Sequence, residues 1–340
     1  VEPSPFIPFD AEGGLVLATR LPGVAGDFGP GRVGWDGLTA GGAEGPLWVH
    51  LDRTRDRAQR WLREESGLDA LAAESLLAEE TRPRAEEFGA GEQAGLVVIL
   101  RGINMNPGAE QDELISIRMW LDVRRVITLR QFRFKAVAAL RERAQQGRAP
   151  ATPGGLLVAV ARGLTDGLGG SVANLEEMLD EIEDAMLARD SDEAGWRSQL
   201  ATIRRQAIGY RRYLVPQREA LGALVSGQSA VLTGRERAEL RAILDQTTRV
   251  TEALEELRDR AAVTQDEMRA RHEARIGRTV YLLTIVATVL LPLGFVTGLL
   301  GINVGGLPLV ESRWGFAVVC VVLVSIAAAE VVWFRKKRWL

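Results

Sequence analysis

Few residues in this chain can do chemistry, and their types narrow what that chemistry is. The only histidines are His50 and His272, and Cys320 is the only cysteine. One chain therefore closes no disulfide, and it holds no zinc cage of two cysteines and two histidines. No phosphate loop, nucleophile elbow or metal-protease pattern occurs, which argues against an enzyme and implies no cofactor. What remains is weak oxygen chemistry near the C-terminus. The stretch GINVGGLP, Gly301–Pro308, stands between two long apolar runs. In the run before it, helical spacing puts Gly277, Thr284, Ala287 or Thr288, Leu291, Gly294 and Gly298 near one face. That face is small and mildly polar at most levels, with Leu291 the bulky exception. It suits the passage of a hydrated ion, and a ring of leucines would block that ion unless it widened. A second GIN, Gly102–Asn104, follows an apolar strand and reads as a turn before Pro107, with no chemistry assigned.

The apolar runs must position that face. Val280 to Leu300 carries no charge over 21 residues. At about 1.5 Å per residue it is long enough to cross a hydrocarbon core of about 30 Å. Trp314 to Phe334 is a second run of 21 residues, with one acid, Glu330, near its end. Glu330 is expected to snorkel toward the basic tail or pair with it, and a proton relay is the sharper alternative. Arg269, Arg271, Arg275 and Arg278 precede the first run; Arg335, Lys336, Lys337 and Arg338 follow the second; the link between holds only Arg313. The positive-inside rule puts both ends in the cytoplasm and the link outside. Pro292 bends the first span, which membrane helices tolerate. Gly294, Gly298 and Gly301 either let the two spans pack closely or line a narrow bore.

The rest reads as an α+β cytoplasmic domain over residues 1–150 and a helical stalk over 151–279. Residues 280–300 form the first span, 301–313 the external loop, 314–334 the second span and 335–340 a basic tail. VEPSPFIPFD lacks the basic flank and apolar core of a secretory leader. PLWVHLD and GLVVILRG read as strands. LISIRMWLDV alternates, with Ile115, Ile117, Met119, Leu121 and Val123 on one face, and RRVITLR follows it as a hairpin partner. Asp56–Glu65, Leu68–Glu80 and RFKAVAALRERAQQ have helical spacing. Beyond Pro153 the chain turns helical. An acidic run, SVANLEEMLDEIEDAML, is expected as a solvated face, with a cation-attracting surface as the sharper alternative; a basic run with Arg204, Arg205, Arg211 and Arg212 follows, and the opposite charges could also simply pair. A third helix, from about Thr233, carries a stripe at Leu240, Leu244, Thr247, Val250, Leu254, Leu257, Ala261, Thr264 and Met268. No breaker separates it from the first span, so stalk and span are expected to be one helix. The stripe is read as an oligomerisation seam.

Two spans cannot enclose an aqueous path in one chain, so a pore needs several copies. A net charge of −3 gives no global field for nucleic acid. A two-span signalling receptor would need a sensing domain between its spans, and 13 residues leave little room for one.

YLLTIVATVLLPLGFVTGLLGIN resembles the pore helix and G-x-N signature of the CorA-type divalent-cation transporters, and FRKKRWL resembles that family's cytoplasmic tail. Within the family, the continuation VGGLP resembles the ZntB branch, associated with zinc. EETRPR at Glu79–Arg84, RGINMNPGAE at Arg101–Glu110 and RRYLVPQR at Arg211–Arg218 support the same branch. The resemblance implies a CorA-like funnel, a homopentamer in the bacterial inner membrane, with lipid and divalent cations as its partners. It implies zinc as the transported ion, with magnesium, cobalt or nickel as the alternative, and coupling to protons as one possible drive. Gly301, Ile302 and Asn303 would then form the outer mouth. Five Asn303 amides would touch a hydrated ion through its own water shell, a weak outer-sphere contact that permits release. Gly301 would supply the backbone freedom that brings Asn303 there. Asn303 also suits a helix C-cap, and both roles can hold together.

Overall fold

The computed structural model describes residues 12–21, 35, 38, 46–79, 82–89, 94–109, 113–188, 193–302 and 312–337. They fall into two compact units, Val1–Thr264 and Gln265–Leu340.

The first unit is built on a six-stranded sheet. Its strands are β1 (Leu15–Arg20), β2 (Leu47–Asp52), β3 (Arg84–Phe88), β4 (Gly95–Ile103), β5 (Leu114–Leu121) and β6 (Arg125–Arg130), in the order β1-β2-β6-β5-β4-β3. Only β2 and β6 run parallel. β5 and β6 form the expected hairpin, with Leu121 opposite Val126. Val123 is the exception to the alternation. It falls beyond the end of β5 and is exposed, because the chain turns there around Asp122. Asp122 accepts from the backbone N–H groups of Arg124 and Arg125 and pairs with the Arg125 side chain at 3.0 Å.

Both faces of the sheet are covered, so its central strands are apolar throughout. One face packs α1 (Asp56–Arg60), the π-helical turn Trp61–Glu65 and α2 (Ala70–Leu77) onto Val97, Ile99, Trp120 and Ile127. Asp69 caps α2 by accepting from Leu71 N and Ala72 N. Arg118 of β5 is buried under the far end of α2 and donates to Leu76 O at 2.7 Å and Glu79 O at 3.3 Å. Burial, with Arg53, Arg101 and Arg84 nearby, pulls its pKa down to about 9. The other face packs α3 (Lys135–Gln145), α4 (Pro153–Leu187), α5 (Glu193–Ser226) and the start of α6 (Gly234–Leu300) onto Val98, Leu100, Ile117 and Met119.

α4 is one helix, although Gly163, Gly167, Gly169 and Gly170 lie within it. α5 runs through Pro216, and α6 continues from stalk to apolar run over 67 residues. The stripe on α6 is buried within the chain itself. Leu240, Thr247, Leu254, Leu257 and Ala261 are at most 1 % exposed. It is therefore consumed by packing of the chain's own helices and is no free seam, which corrects the sequence reading. Thr247 sits 3.4 Å from Thr165 of α4, and Gln246 donates to Asp166. The acidic run finds its arginine on α6: Arg260 donates to Asp180 and Glu183 at 2.6 Å each, and Thr264 donates to Glu183. Arg211 of α5 pairs with Glu255 of α6 at 2.7 Å.

Glu236 ties the starts of α4 and α6 together. It accepts from the Thr152 hydroxyl and from Thr233 N, and Thr233 Oγ1 in turn accepts from Glu236 N, a capping box. Burial works to raise the Glu236 pKa, but hydrogen bonds from Thr152 and Thr233 outweigh it and hold the value down.

Candidate functional site

The second unit contains the end of α6 and all of α7 (Gly315–Lys336). Three helices are long and apolar enough to cross a membrane by length and composition: α4, α6 and α7. Half of the apolar window of α4 is buried inside the chain, against none of that of α6 and 6 % of that of α7. Leucines facing a protein core explain the first. The exposed apolar windows of α6 and α7 need another apolar medium.

Exposure along α6 divides its faces. Ile285, Val289, Pro292, Val296 and Leu300 are half-buried, at spacings of three and four. Among the described residues of this unit, α7 is the only other element able to cover them. The matching half-buried stripe on α7 is Val319, Leu323, Ile326 and Glu330, ending at buried Phe334. Thr284, Ala287, Thr288, Leu291, Gly294 and Gly298 are all exposed and lie off the covered stripe of α6. At 100° per residue, Gly294 points about 200° away from Pro292. A Cβ built on Gly277, Gly294 or Gly298 would meet nothing within 4 Å. These glycines therefore do not serve packing against α7; they leave a shallow strip on the free face.

The hydroxyls on this strip are polarised in one sense. Thr284 donates to Val280 O at 2.8 Å and Thr288 to Thr284 O at 2.7 Å. Each hydrogen is thus used inside the helix, and the oxygen lone pairs remain as acceptors. Such oxygens can take hydrogen bonds from the water shell of a cation. Between Arg278 and Leu300 the helix has no charged side chain.

α6 ends as Gly301 N donates to Thr297 O at 2.9 Å and Gly298 O at 3.1 Å. Gly301 is not among the glycines with positive φ. The backbone freedom expected of Gly301 is not used at this position, since its φ is not positive; a Cβ there would stand 3.3 Å from Thr297 O. Ile302 is 48 % exposed. Asn303 lies outside the described residues.

The first GIN serves the fold. A Cβ on Gly102 would come within 2.5 Å of Leu164 Cδ2, so this glycine lets α4 cross β4. Asn104 is buried, donates to Glu113 at 2.8 Å and accepts from Asn106 N, fixing the turn into β5.

Glu330 sits on the half-buried stripe of α7; its Oε2 is buried, and among the described residues it has no hydrogen-bond partner and no ion pair with Arg335, Lys336 or Lys337. Among the described residues, no three His, Cys, Asp or Glu side chains gather closely enough to hold a metal ion directly. In the first unit a groove of about 690 Å³ opens between α3, α4 and the start of α6. Two of its rim arginines, Arg162 and Arg235, are already engaged by Glu239.

An α+β unit joined by one continuous helix to an exposed apolar helix pair is the construction of a membrane transport protein. The chain belongs to the CorA-like Mg2+ transporter protein family, whose family model matches residues 43–336. It is 39 % identical over 297 residues to the divalent cation transporter CmaX of Pseudomonas aeruginosa, covering 87 % of this chain and 88 % of the relative. It is 30 % identical over 298 residues to the zinc transport protein ZntB of Yersinia enterocolitica, covering 88 % and 89 %. The solved structure of full-length CmaX matches with a TM-score of 0.82 and 36 % identity, over 96 % of this chain and 99 % of that one. These relatives are transporters and not enzymes.

Proposed function

We propose that this chain carries divalent metal cations inward across a bacterial inner membrane, zinc first among them, as a homopentamer. The observation that carries the reading is the free strip of α6, Thr284 to Gly298, which turns small residues and acceptor oxygens away from α7. Five such strips around an axis would make a narrow bore with Leu291 as its constriction. Residues 280–300 and 314–334 are the two spans, with residues 1–150, the stalk 151–279 and the tail 335–340 in the cytoplasm. Gly301, Ile302 and Asn303 form the outer mouth, where Asn303 amide oxygens contact the ion through its water. The relatives named above for zinc and for divalent cations support the cargo.

An inward divalent ion gains about 4.6 kcal/mol per 100 mV of membrane potential, so uptake does not require a proton. Proton coupling rests on the resemblance to the ZntB branch. The competing cargo is magnesium, with cobalt or nickel, through a channel gated by cytoplasmic metal; the family description, which names Mg2+, favours it.

The test is metal uptake into liposomes holding the purified chain, with zinc and magnesium compared, with and without a pH gradient. Zinc flux should exceed magnesium flux, and Asn303→Ala should lower it at least about tenfold, the loss of roughly one charge-assisted contact. Magnesium flux without zinc flux overturns the zinc reading. Unchanged zinc flux in Asn303→Ala removes the amide ring, and flux indifferent to the pH gradient removes the proton.

A further inference from the structure

The cytoplasmic ends of the apolar helices are rich in cations. Residues 274–281 and 331–337 contain five cations, Arg275, Arg278, Arg335, Lys336 and Lys337, and no acid. All five are exposed. Farther from the apolar run, α6 matches its arginines with nearby acids: Arg269 lies 3.6 Å from Asp266 and Arg271 2.5 Å from Glu267. Arg278, Arg335 and Lys336 have no ion-pair partner among the described residues. Glu330, the acid closest along α7, is half-buried and makes no ion pair with them.

The order of residue types is the same on both helices. Along α6, Arg275 and Arg278 are followed by Tyr281, 42 % exposed, and then by exposed Leu282 and Val286. Along α7 read backwards, Lys336 and Arg335 are followed by Trp333, 49 % exposed, and then by Val332. Lys337 Nζ lies 5.2 Å over the Trp333 ring. From Tyr281 to Leu300 is roughly 28 Å of helix, and from Gly315 to Trp333 roughly 27 Å. Two helices of equal length thus end in the same sequence of cation, amphipathic ring and aliphatic side chain. On α6, Arg271, Arg275, Arg278, Leu282 and Val286 follow one another at steps of three and four, so a single helix face passes from guanidinium to hydrocarbon.

We infer that these helix ends bind anionic phospholipid, a headgroup phosphodiester being held on α6 by Arg278 with acyl chain along Leu282 and Val286, and on α7 by Arg335 and Lys336 with acyl chain along Val332. A soluble phosphate would satisfy the cations but not the adjoining exposed aliphatic surface; a phospholipid satisfies both. The inference rests on the membrane reading proposed above.

The experiment uses the full chain in nanodiscs of phosphatidylcholine mixed with phosphatidylglycerol. Native mass spectrometry counts which lipid stays bound on release. Phosphatidylglycerol should be retained preferentially, and the preference should shrink as salt is raised. Arg278→Gln and Lys336→Gln should each weaken it about fivefold, and the double variant roughly twentyfold. Arg275, Arg335 and Lys337 remain in these variants to keep the orientation. Equal retention of the two lipids, or an undiminished preference in both single variants, overturns the site. Displacement of phosphatidylglycerol by millimolar inorganic phosphate assigns the cations to free phosphate and overturns the lipid. Failure to enter discs of phosphatidylcholine alone would instead sink the membrane reading, whereas entry without lipid preference sinks only this inference.

Discussion

Asn104 and Asn303 close the same tripeptide, and only position separates them. Asn104 is surrounded by its own fold, which takes up its amide, whereas Asn303 comes directly after the apolar end of α6 in sequence and lies outside the described residues. His50 makes the parallel point about burial. It stands between β2 and β6 with Nδ1 2.8 Å from the Thr128 hydroxyl, which also accepts from Trp48 Nε1 at 2.9 Å. Burial, with help from Arg130, lowers its pKa from 6.5 to about 3. The folded chain therefore refuses a proton that the unfolded chain accepts. Stability is complete above about pH 6.5 and falls as pH drops from there toward 3, by about 1.4 kcal/mol per unit. Melting should be flat between pH 7.5 and 6.5 and should fall toward this slope between pH 6.5 and 5.5, before most carboxylates titrate. His50→Gln should flatten it, whatever it does to the absolute Tm. An equal slope in the variant would assign the effect elsewhere.

At the scale of elements, strongly periodic segments are readable and the two strands β1 and β3 are not. β3, RAEEF, shares only Arg84 with the motif EETRPR and gives no strand signal, because an edge strand with three charges in five residues has little apolar periodicity. The break between α4 and α6 was equally invisible as an interaction. Glu236 belongs to α6 in sequence yet accepts from the hydroxyl of Thr152, the N-cap residue of α4, 84 residues away. Gly154 is the residue that leaves room for this carboxylate, since a Cβ there would come within 2.4 Å of Glu236 Oε2. Gly154→Ala should thus expel the carboxylate and destabilise the first unit by about 1–3 kcal/mol, the range for an interior polar group that loses its partners. Thr152→Val should lose less, as Thr233 still donates. Thermal denaturation of the two variants side by side tests the order, and a neutral Gly154→Ala would mean that the interlock does not hold the helix starts together.

For the whole molecule, the decisive fact is where the α6 stripe is spent. It holds α4 and α5 within one chain, so the first unit closes its own core. Residues 1–264 expressed alone should accordingly be soluble without detergent and give a helical, cooperatively melting protein by circular dichroism. Aggregation of that fragment would show that the stripe is not satisfied within one chain. Sequence alone determined the two apolar runs, the continuous helix, the β5–β6 hairpin and the likeness to a family of cation transporters. Each of these is written in local terms, as hydropathy, periodicity or a contiguous motif. Only the tertiary structure decided which faces of those helices are already occupied. It turned the stalk stripe inward, left Glu330 Oε2 buried with no hydrogen-bond partner among the described residues, and left the Thr284–Gly298 strip exposed. The reason is physical: periodicity states that a face will be buried, but what buries it depends on residues far away in the chain.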